Sequence, residues 1–426
     1  MEAQTKLYSK NELIRLGDKL RLESKSNSIS DDSLKQIHDL RLSYKKVLSE
    51  VFNILSEESK KIRKSRVITY RIKRIESIIS KLNRFPNMEL GKMIDIGGCR
   101  CIVDSVQDIF QIADLLEKKL NITKRQDYIN NKPLDDDGYS ALHLYVKCKE
   151  GDQKPIEIQL RTKDQHNWAT FVEIIDVVYN TKIKEGQKNP ELQRFCYLLS
   201  DTSNLNHDAK MEILTIERDY NIYRKLSAIF NQNNIQTRKQ WIKVEETNHK
   251  FFIIEVNEQK RTNIESFLEF DTAEDAYLKR FNNDKTNIVL THLESPSYKL
   301  ISIAYSNYIL SMHKFQEDLC NIAVKAIEEL ILLKNKTKAA EIKSVYKNYI
   351  NEEIHTFNDE VEEFKNEIKN GDKQSAKIEE WVSDLSERMS ERASTFTNGD
   401  IEINLSFPET IILWVTNILN KFKHKA

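Results

Sequence analysis

From Pro155 to Thr162 the chain alternates strictly. Ile156, Ile158 and Leu160 point one way and Glu157, Gln159 and Arg161 the other, the period of a strand with one buried face. A carboxylate, an amide and a guanidinium thereby share one polar face, as they also would on an ordinary surface strand. A second alternating stretch follows Gly138: Tyr139, Ala141, His143 and Tyr145 lie on one face, and Ser140, Leu142, Leu144, Val146 and Cys148 on the other, which its content makes the core face. The turn at Glu150-Gly151-Asp152 joins the two stretches most simply as an antiparallel hairpin, so that their polar faces adjoin.

Elsewhere the spacing is helical. Residues 1–65 read as helices, and from Ser30 to Leu55 apolar side chains recur every three to four residues as one buried face. Asp95 to Asp104, DIGGCRCIVD, reads as a loop with two glycines running into a strand, with Asp95 at its entrance. Ser105 then caps a helix, with Asp108 three residues on. Thr162 to Tyr179 forms another, in which His166 and Trp168 read as packing residues. Residues 181–235 are helical. Beyond Trp241 come strands near Lys250–Val256 and Asn263–Phe270, a helix at Thr272–Phe281, a strand at Asn287–His292 and a long helix from about Pro296, an order that predicts a small α+β domain with its own sheet. Residues 331–395, dense in Lys and Glu, read as long solvated helices or a short coiled coil. Glu409 to Lys425 is a basic amphipathic tail that suits docking on the protein itself or on a partner; a membrane surface is the alternative.

Composition narrows the class. The 426 residues suffice for two or three domains, and Lys+Arg equals Asp+Glu at 66 each, so any attraction to nucleic acid is local. No stretch has the length of a membrane span or the apolar centre of a signal peptide, and a cytoplasmic location is expected. Five cysteines without a C-x-x-C pair suit reduced thiols. Glycine is scarce, nine in all, yet Gly91, Gly97, Gly98, Gly138 and Gly151 fall in one segment, where tight turns or close approach of a ligand are concentrated. Just before it, Arg63 to Lys81 is basic. It reads either as the solvated face of an amphipathic helix or as a cradle for a polyphosphate.

Four ordered segments, RIKRIESIISKL (Arg71–Leu82), DIGGCR (Asp95–Arg100), DYINN…DGYSALH (Asp127–His143) and EIQLRT (Glu157–Thr162), resemble the motifs of the RelA/SpoT alarmone synthetases, which move pyrophosphate from ATP to the 3′-hydroxyl of GDP or GTP. The resemblance spans roughly residues 60–180. It implies an α+β fold, a nucleotidyltransferase-like mixed sheet flanked by helices, followed by the small α+β module and a helical tail. The expected partition is 1–60 N-terminal helices, 61–235 synthetase domain, 236–330 regulatory or interaction domain, and 331–426 charged helical region.

Carried over residue by residue, the resemblance implies that Arg71 and Arg100 sandwich adenine, that Lys73, Ser77 and Lys81 hold phosphates, and that Asp95 and Glu157 hold Mg²⁺. Tyr139 would stack on the acceptor's guanine beside His143, and Gln159 and Arg161 would order the site. Glu157 is also expected to help deprotonate the attacking hydroxyl. The chemistry agrees, since phosphoryl-type transfer needs positioning and charge neutralisation.

One loop departs from the pattern. Asn131-Lys132-Pro133-Leu134 is followed by Asp135, Asp136 and Asp137, whose charges oppose the acceptor's phosphates unless Lys132 or another cation compensates. The alternative is therefore a toxin, similar to relatives that pyrophosphorylate the 3′ end of tRNA or make an adenosine alarmone, acting in growth arrest or against phage. A third reading is a catalytically silent nucleotide sensor; the paired Asp95 and Glu157 argue for an enzyme. No hydrolase is expected from His207-Asp208, a lone pair without further ligand spacing. An antitoxin or regulatory partner, and an oligomer, are compatible with all of this.

Overall fold

A computed structural model describes residues 8–26, 28–132, 138–181, 189–245, 248–257, 261–281, 287–304, 312–370 and 376–397. The Asp135–Asp137 run and the tail at 409–425 lie outside them. In chain order the elements are α1 (Lys10–Lys25), α2 (Asp31–Leu42), α3 (Lys45–Ile62), β1 (Val67–Ile72), α4 (Ile75–Arg84), β2 (Gly97–Val103), α5 (Val106–Lys119), β3 (Asn121–Asp127), β4 (Leu142–Lys147), β5 (Ile156–Thr162), α6 (Lys163–Val178), α7 (Pro190–Leu198), α8 (His207–Tyr220), α9 (Ile222–Lys243), β6 (Phe251–Val256), β7 (Thr262–Phe267), α10 (Phe270–Phe281), β8 (Asn287–Leu293), α11 (Tyr298–Ala304), α12 (Met312–Leu332), α13 (Lys336–Asn370) and α14 (Ala376–Thr397).

The chain divides into two compact units, residues 1–169 with 247–305 and residues 170–246 with 306–426. The first is built on one eight-stranded mixed sheet in the order β3-β4-β5-β2-β1-β8-β6-β7. β2 and β5 run parallel and every other pair is antiparallel. One face of the sheet carries Ile68, Tyr70, Ile72, Cys99, Cys101, Leu142, Leu144, Ile156 and Ile158, all buried with apolar residues of α3, α5 and α10. This is the face the alternation in 155–162 and 139–148 assigns to the core. All five cysteines are free and buried. Ser105 caps α5 as expected, its hydroxyl accepting from the Asp108 amide at 3.1 Å.

Several sequence expectations differ from the structure. The single helix expected over Ser30–Leu55 is two, α2 and α3, broken at Ser43 and Tyr44, where the Ser43 hydroxyl donates to the Leu40 carbonyl at 2.6 Å. The apolar spacing runs through that break, so periodicity alone does not register it. The basic stretch 63–81 is a strand followed by a helix, β1 then α4. β3 was not anticipated: at the sheet edge its side chains are mostly exposed, which leaves no alternation to read.

Another concerns domain boundaries. The strands beyond residue 250 form no separate sheet but continue the first one, β8 pairing with β1 from Val67↔Leu293 to Tyr70↔Leu290. A hydrogen-bonded edge more than 200 residues away in sequence carries no local signal. Helices α7, α8 and α9, expected to extend the synthetase, belong to the second unit.

That second unit is helical. α13 is buried along one face through Ile342, Tyr346, Tyr349, Ile350, Phe357 and Phe364, so it is a packed element and not a solvated one. It packs against α9 and α12. Glu360 is fully buried and meets Arg388 at 2.8 Å, Arg238 at 3.3 Å and the Trp381 indole at 2.7 Å. No helix among the described residues is long and apolar enough to cross a membrane.

Candidate functional site

The polar face of the first unit's sheet presents its chemistry in rows, because paired residues on adjacent strands project to the same side. One row runs Thr291, Thr69, Arg100, Gln159, His143 and Gln126. The next runs Arg71, Gly98, Glu157, Tyr145 and Lys124. Arg71 and Arg100 are thus diagonal neighbours on one face, roughly 7–8 Å apart by strand geometry, about two ring thicknesses. Gly98, opposite Arg71, keeps the space between them clear: a Cβ there would meet only the Glu157 carbonyl oxygen, at 3.4 Å. Gly97 faces the core instead, where a Cβ would stand 2.8 Å from Ile156 Cδ1.

Asp95 precedes β2, and the chain returns to it from β1 and α4. Lys73 follows β1, its amide donating to the Ile96 carbonyl at 2.8 Å, and the Arg41 guanidinium donates to the Lys73 carbonyl at 2.9 Å. Lys81 lies two helical turns further on, with Ser77 between them at the four-residue spacing that aligns one helix face. Both ammonium groups reach the same oxygen, Asp95 Oδ2, Lys73 at 2.6 Å and Lys81 at 2.8 Å. Burial raises the Asp95 carboxyl, but the two lysines outweigh it and hold the group below its ordinary 3.8. Burial likewise holds Lys73 below the usual lysine range despite Asp95. Asp95 Oδ1 is buried and has no hydrogen-bond partner.

Glu157 is fixed from two sides. His143 Nδ1 lies 3.0 Å from Oε1, and Gln159 Nε2 donates to Oε2 at 3.0 Å. Gln159 is held in turn by the Arg100 guanidinium, whose Nε donates to its carbonyl at 3.3 Å. Burial pushes the Glu157 carboxyl up, but the interactions with His143 together with the Gln159 hydrogen bond outweigh it and leave the group below its ordinary 4.5; the charge of Asp95 acts with burial, so the two carboxylates feel each other.

Tyr139 lies just before β4 and not in it. Its hydroxyl is 2.7 Å from His143 Nε2 and receives a hydrogen bond from Arg161. Its ring meets Tyr128 and His143 edge-on, at centroid distances of 5.5 and 5.8 Å, with Trp168 at 6.4 Å. His166, read as a packing residue, is fully buried, its Nε2 3.0 Å from the Ile303 carbonyl.

Of the residues singled out from sequence, Arg71, Lys73, Ser77, Lys81, Asp95, Arg100, Tyr139, His143, Glu157, Gln159 and Arg161 all lie on this face or at its margin. Lys132 is exposed and borders the residues outside the description. Sequence reasoning missed Tyr145, directly opposite Glu157 across β4 and β5, and Tyr128, whose ring meets His143 edge-on. It also missed Arg74, which donates to Asn287 of β8 at 2.6 Å. Tyr145 shares the alternation of His143 and could have been found from it; Asn287 depends on a distant strand pairing and could not.

The donor set suits a hard cation. Two carboxylates, one with an unpartnered buried oxygen, match the few protein ligands that Mg²⁺ takes when phosphate oxygens and waters complete its shell. Among the described residues no group of three or more His, Cys, Asp or Glu side chains could hold a metal by itself.

Residues 70–184 match the family model described as "Region found in RelA / SpoT proteins". The chain is 37% identical over 103 residues to a probable chloroplastic GTP diphosphokinase, RSH2, of Oryza sativa subsp. japonica, covering 24% of this chain and 14% of that protein. It is 31% identical over 130 residues to GTP pyrophosphokinase YjbM of Bacillus subtilis, covering 28% of this chain and 61% of that one. It thus spans less than two thirds of either relative. Among solved structures it is similar to the small alarmone synthetase 1 of Bacillus subtilis bound to its product pppGpp, with 24% identity over 39% of this chain and 90% of the other and a TM-score of 0.33.

Proposed function

Because residues 70–184 form a RelA/SpoT region, we propose that this protein transfers pyrophosphate from ATP to the 3′-hydroxyl of a guanosine nucleotide, GDP or GTP, as an ATP:nucleotide 3′-pyrophosphotransferase. The observation that carries the reading is the pair Asp95, at the entrance to β2, and Glu157, on the polar sheet face, near enough that Glu157 feels the charge of Asp95, with cations already gathered at Asp95. A module that merely sensed nucleotide would need no such pair.

Arg71 and Arg100 flank the adenine ring, each guanidinium lying over one face. Lys73, Ser77 and Lys81 take the phosphates, the lysines exchanging Asp95 for phosphate oxygens. Lys132 is the cation nearest in sequence to the acceptor loop and serves the acceptor's phosphates. The ring of Tyr139 takes the acceptor's base. Glu157 accepts the proton of the 3′-hydroxyl as its oxygen bonds to the β-phosphorus; the bond between that phosphorus and the oxygen bridging to the α-phosphate breaks, and AMP leaves with the electron pair. Asp95 and Glu157 would hold Mg²⁺, which when bound neutralises charge on the phosphates. His143, Gln159 and Arg161 keep Glu157 in place.

The test is an acceptor assay. Purified protein, magnesium and ATP labelled on its terminal phosphate are offered GDP, GTP, AMP or deacylated tRNA separately. Label on the guanosine nucleotides is the expected result. Label on tRNA or AMP alone would replace the acceptor while keeping the chemistry; no transfer to any acceptor would refute the enzyme. Glu157→Gln is expected to abolish turnover while ATP still binds, and near-normal turnover in that variant would remove both roles given to Glu157.

A further inference from the structure

We propose that the Tyr139 hydroxyl is a positioning group for Glu157, acting through His143 at the centre of a one-way chain of hydrogen bonds that starts at Arg161. The members are Arg161 Nη2, Tyr139 Oη, His143 Nε2 and Nδ1, and Glu157 Oε1. Their chemistry sets the direction. A carboxylate only accepts, so the hydrogen between His143 and Glu157 sits on Nδ1. In the proposed chain His143 is a neutral imidazole with one N–H, so Nε2 accepts and the Tyr139 hydroxyl donates to it. A guanidinium only donates, so Arg161 gives its hydrogen to the phenol oxygen, which has a lone pair for it.

Arg161 supplies the second part of the argument. It is only 5% exposed, its Nε has no hydrogen-bond partner, and among the described residues no carboxylate pairs with it. A buried cation without an adjacent anion is costly. Here the compensating anion is Glu157, four residues along the same strand and reached through Tyr139 and His143. Each bond polarises the next, so the charge of Arg161 makes the hydroxyl a better donor and His143 Nδ1–H a firmer partner for the carboxylate. The Tyr139 ring and its hydroxyl thus serve different ends: the ring is the group proposed above for the acceptor's base, while the oxygen fixes the tautomer and orientation of His143.

Tyr139→Phe separates the two, because it keeps the ring and removes only the oxygen. The tautomer is read by ¹⁵N NMR of histidine-labelled full-length protein without nucleotide, with the His143 signals assigned by their loss in His143→Gln. The wild type is expected to show a single Nδ1–H tautomer, and Tyr139→Phe a mixture. The turnover part rests on the function proposed above: kcat for pyrophosphate transfer should fall about 10–100-fold, as for other groups that orient a ligating side chain, while KM for the acceptor stays within about threefold. Arg161→Met, which removes the donor and leaves Tyr139 untouched, should move the same His143 signals. Unchanged signals in both variants would overturn the chain, and a changed tautomer with wild-type kcat would overturn its role in positioning Glu157. A wild-type protein that transfers no pyrophosphate would remove the proposed function, while the spectra would still decide whether the chain exists.

Discussion

Gly97 and Gly98 are neighbours in one strand with opposite consequences when given a methyl group. Neither has a positive φ, so alanine meets no backbone penalty at either position. At Gly97 the new Cβ would stand 2.8 Å from Ile156 Cδ1, 3.2 Å from Tyr44 Cδ1 and 3.6 Å from Leu48 Cδ2. Carbon atoms prefer about 3.5–4.0 Å, and all three neighbours are buried, so at least two side chains must shift within a close-packed core. Overpacking of this kind costs about 1–3 kcal/mol, which for a domain of this size lowers the melting temperature by about 2–4 °C per kcal/mol. At Gly98 the methyl would meet only the Glu157 carbonyl oxygen at 3.4 Å, and it would enter the space between Arg71 and Arg100. Gly98→Ala should therefore leave stability within about 0.5 kcal/mol and raise KM for ATP about tenfold or more, the scale of one extra carbon in a fitted pocket. Thermal unfolding followed by circular dichroism, with ATP titrations of both variants, reads the two effects. Equal destabilisation by the two alanines, or a Gly97→Ala protein as stable as wild type, would refute the assignment of faces.

Three further outcomes follow from the packing. His292 is buried against Phe251, with Ser56 at Nδ1, and burial lowers it from 6.5 to about 4; the unfolded chain takes up a proton first, so stability should fall as pH drops from 6.5 towards 4, by roughly 3 kcal/mol in all. His292→Gln should flatten urea midpoints over that range, and an unchanged slope would count against it. Glu360→Gln removes an anion shared by Arg238 and Arg388 and should destabilise the helical unit by about 3 kcal/mol, the lower end for breaking a buried pair because Asp384 still reaches both arginines; a loss below about 1 kcal/mol in denaturant titration would show the network to be dispensable. A chain ended at residue 245 loses β6, β7 and β8, exposes the β1 edge and strips Phe270 and Tyr277 from the core, so it should not fold although residues 70–184 are intact; a soluble, cooperatively melting fragment would contradict this.

Much of the site could be read directly from the chain, for a local reason. Strand alternation at 155–162 fixes which side Glu157, Gln159 and Arg161 occupy whatever the rest of the protein does. The same holds for His143 beside Leu142 and Leu144, for the Ser105 cap, and for Ser77 and Lys81 one helical turn apart. Covalent geometry sets these periods within a few residues, and burial of the apolar set then leaves the polar set facing outward.

Other features were fixed by contacts that no local period encodes. The two lysines converging on one Asp95 oxygen, the Arg161 to Glu157 chain through Tyr139, and the link from Arg74 to Asn287 each join segments 14 or more residues apart. So does the pairing of β1 with β8, which turns an expected separate module into the far side of the same sheet. An edge strand must bond to something, but its sequence does not say to which partner, because backbone amides and carbonyls are alike at every residue. Over 139–148 and 155–162 the sequence by itself determined which residues face the polar side of the sheet and which the core. Only the tertiary structure decided which of them touch, since that choice is made by side-chain packing and hydrogen bonding across the whole sheet.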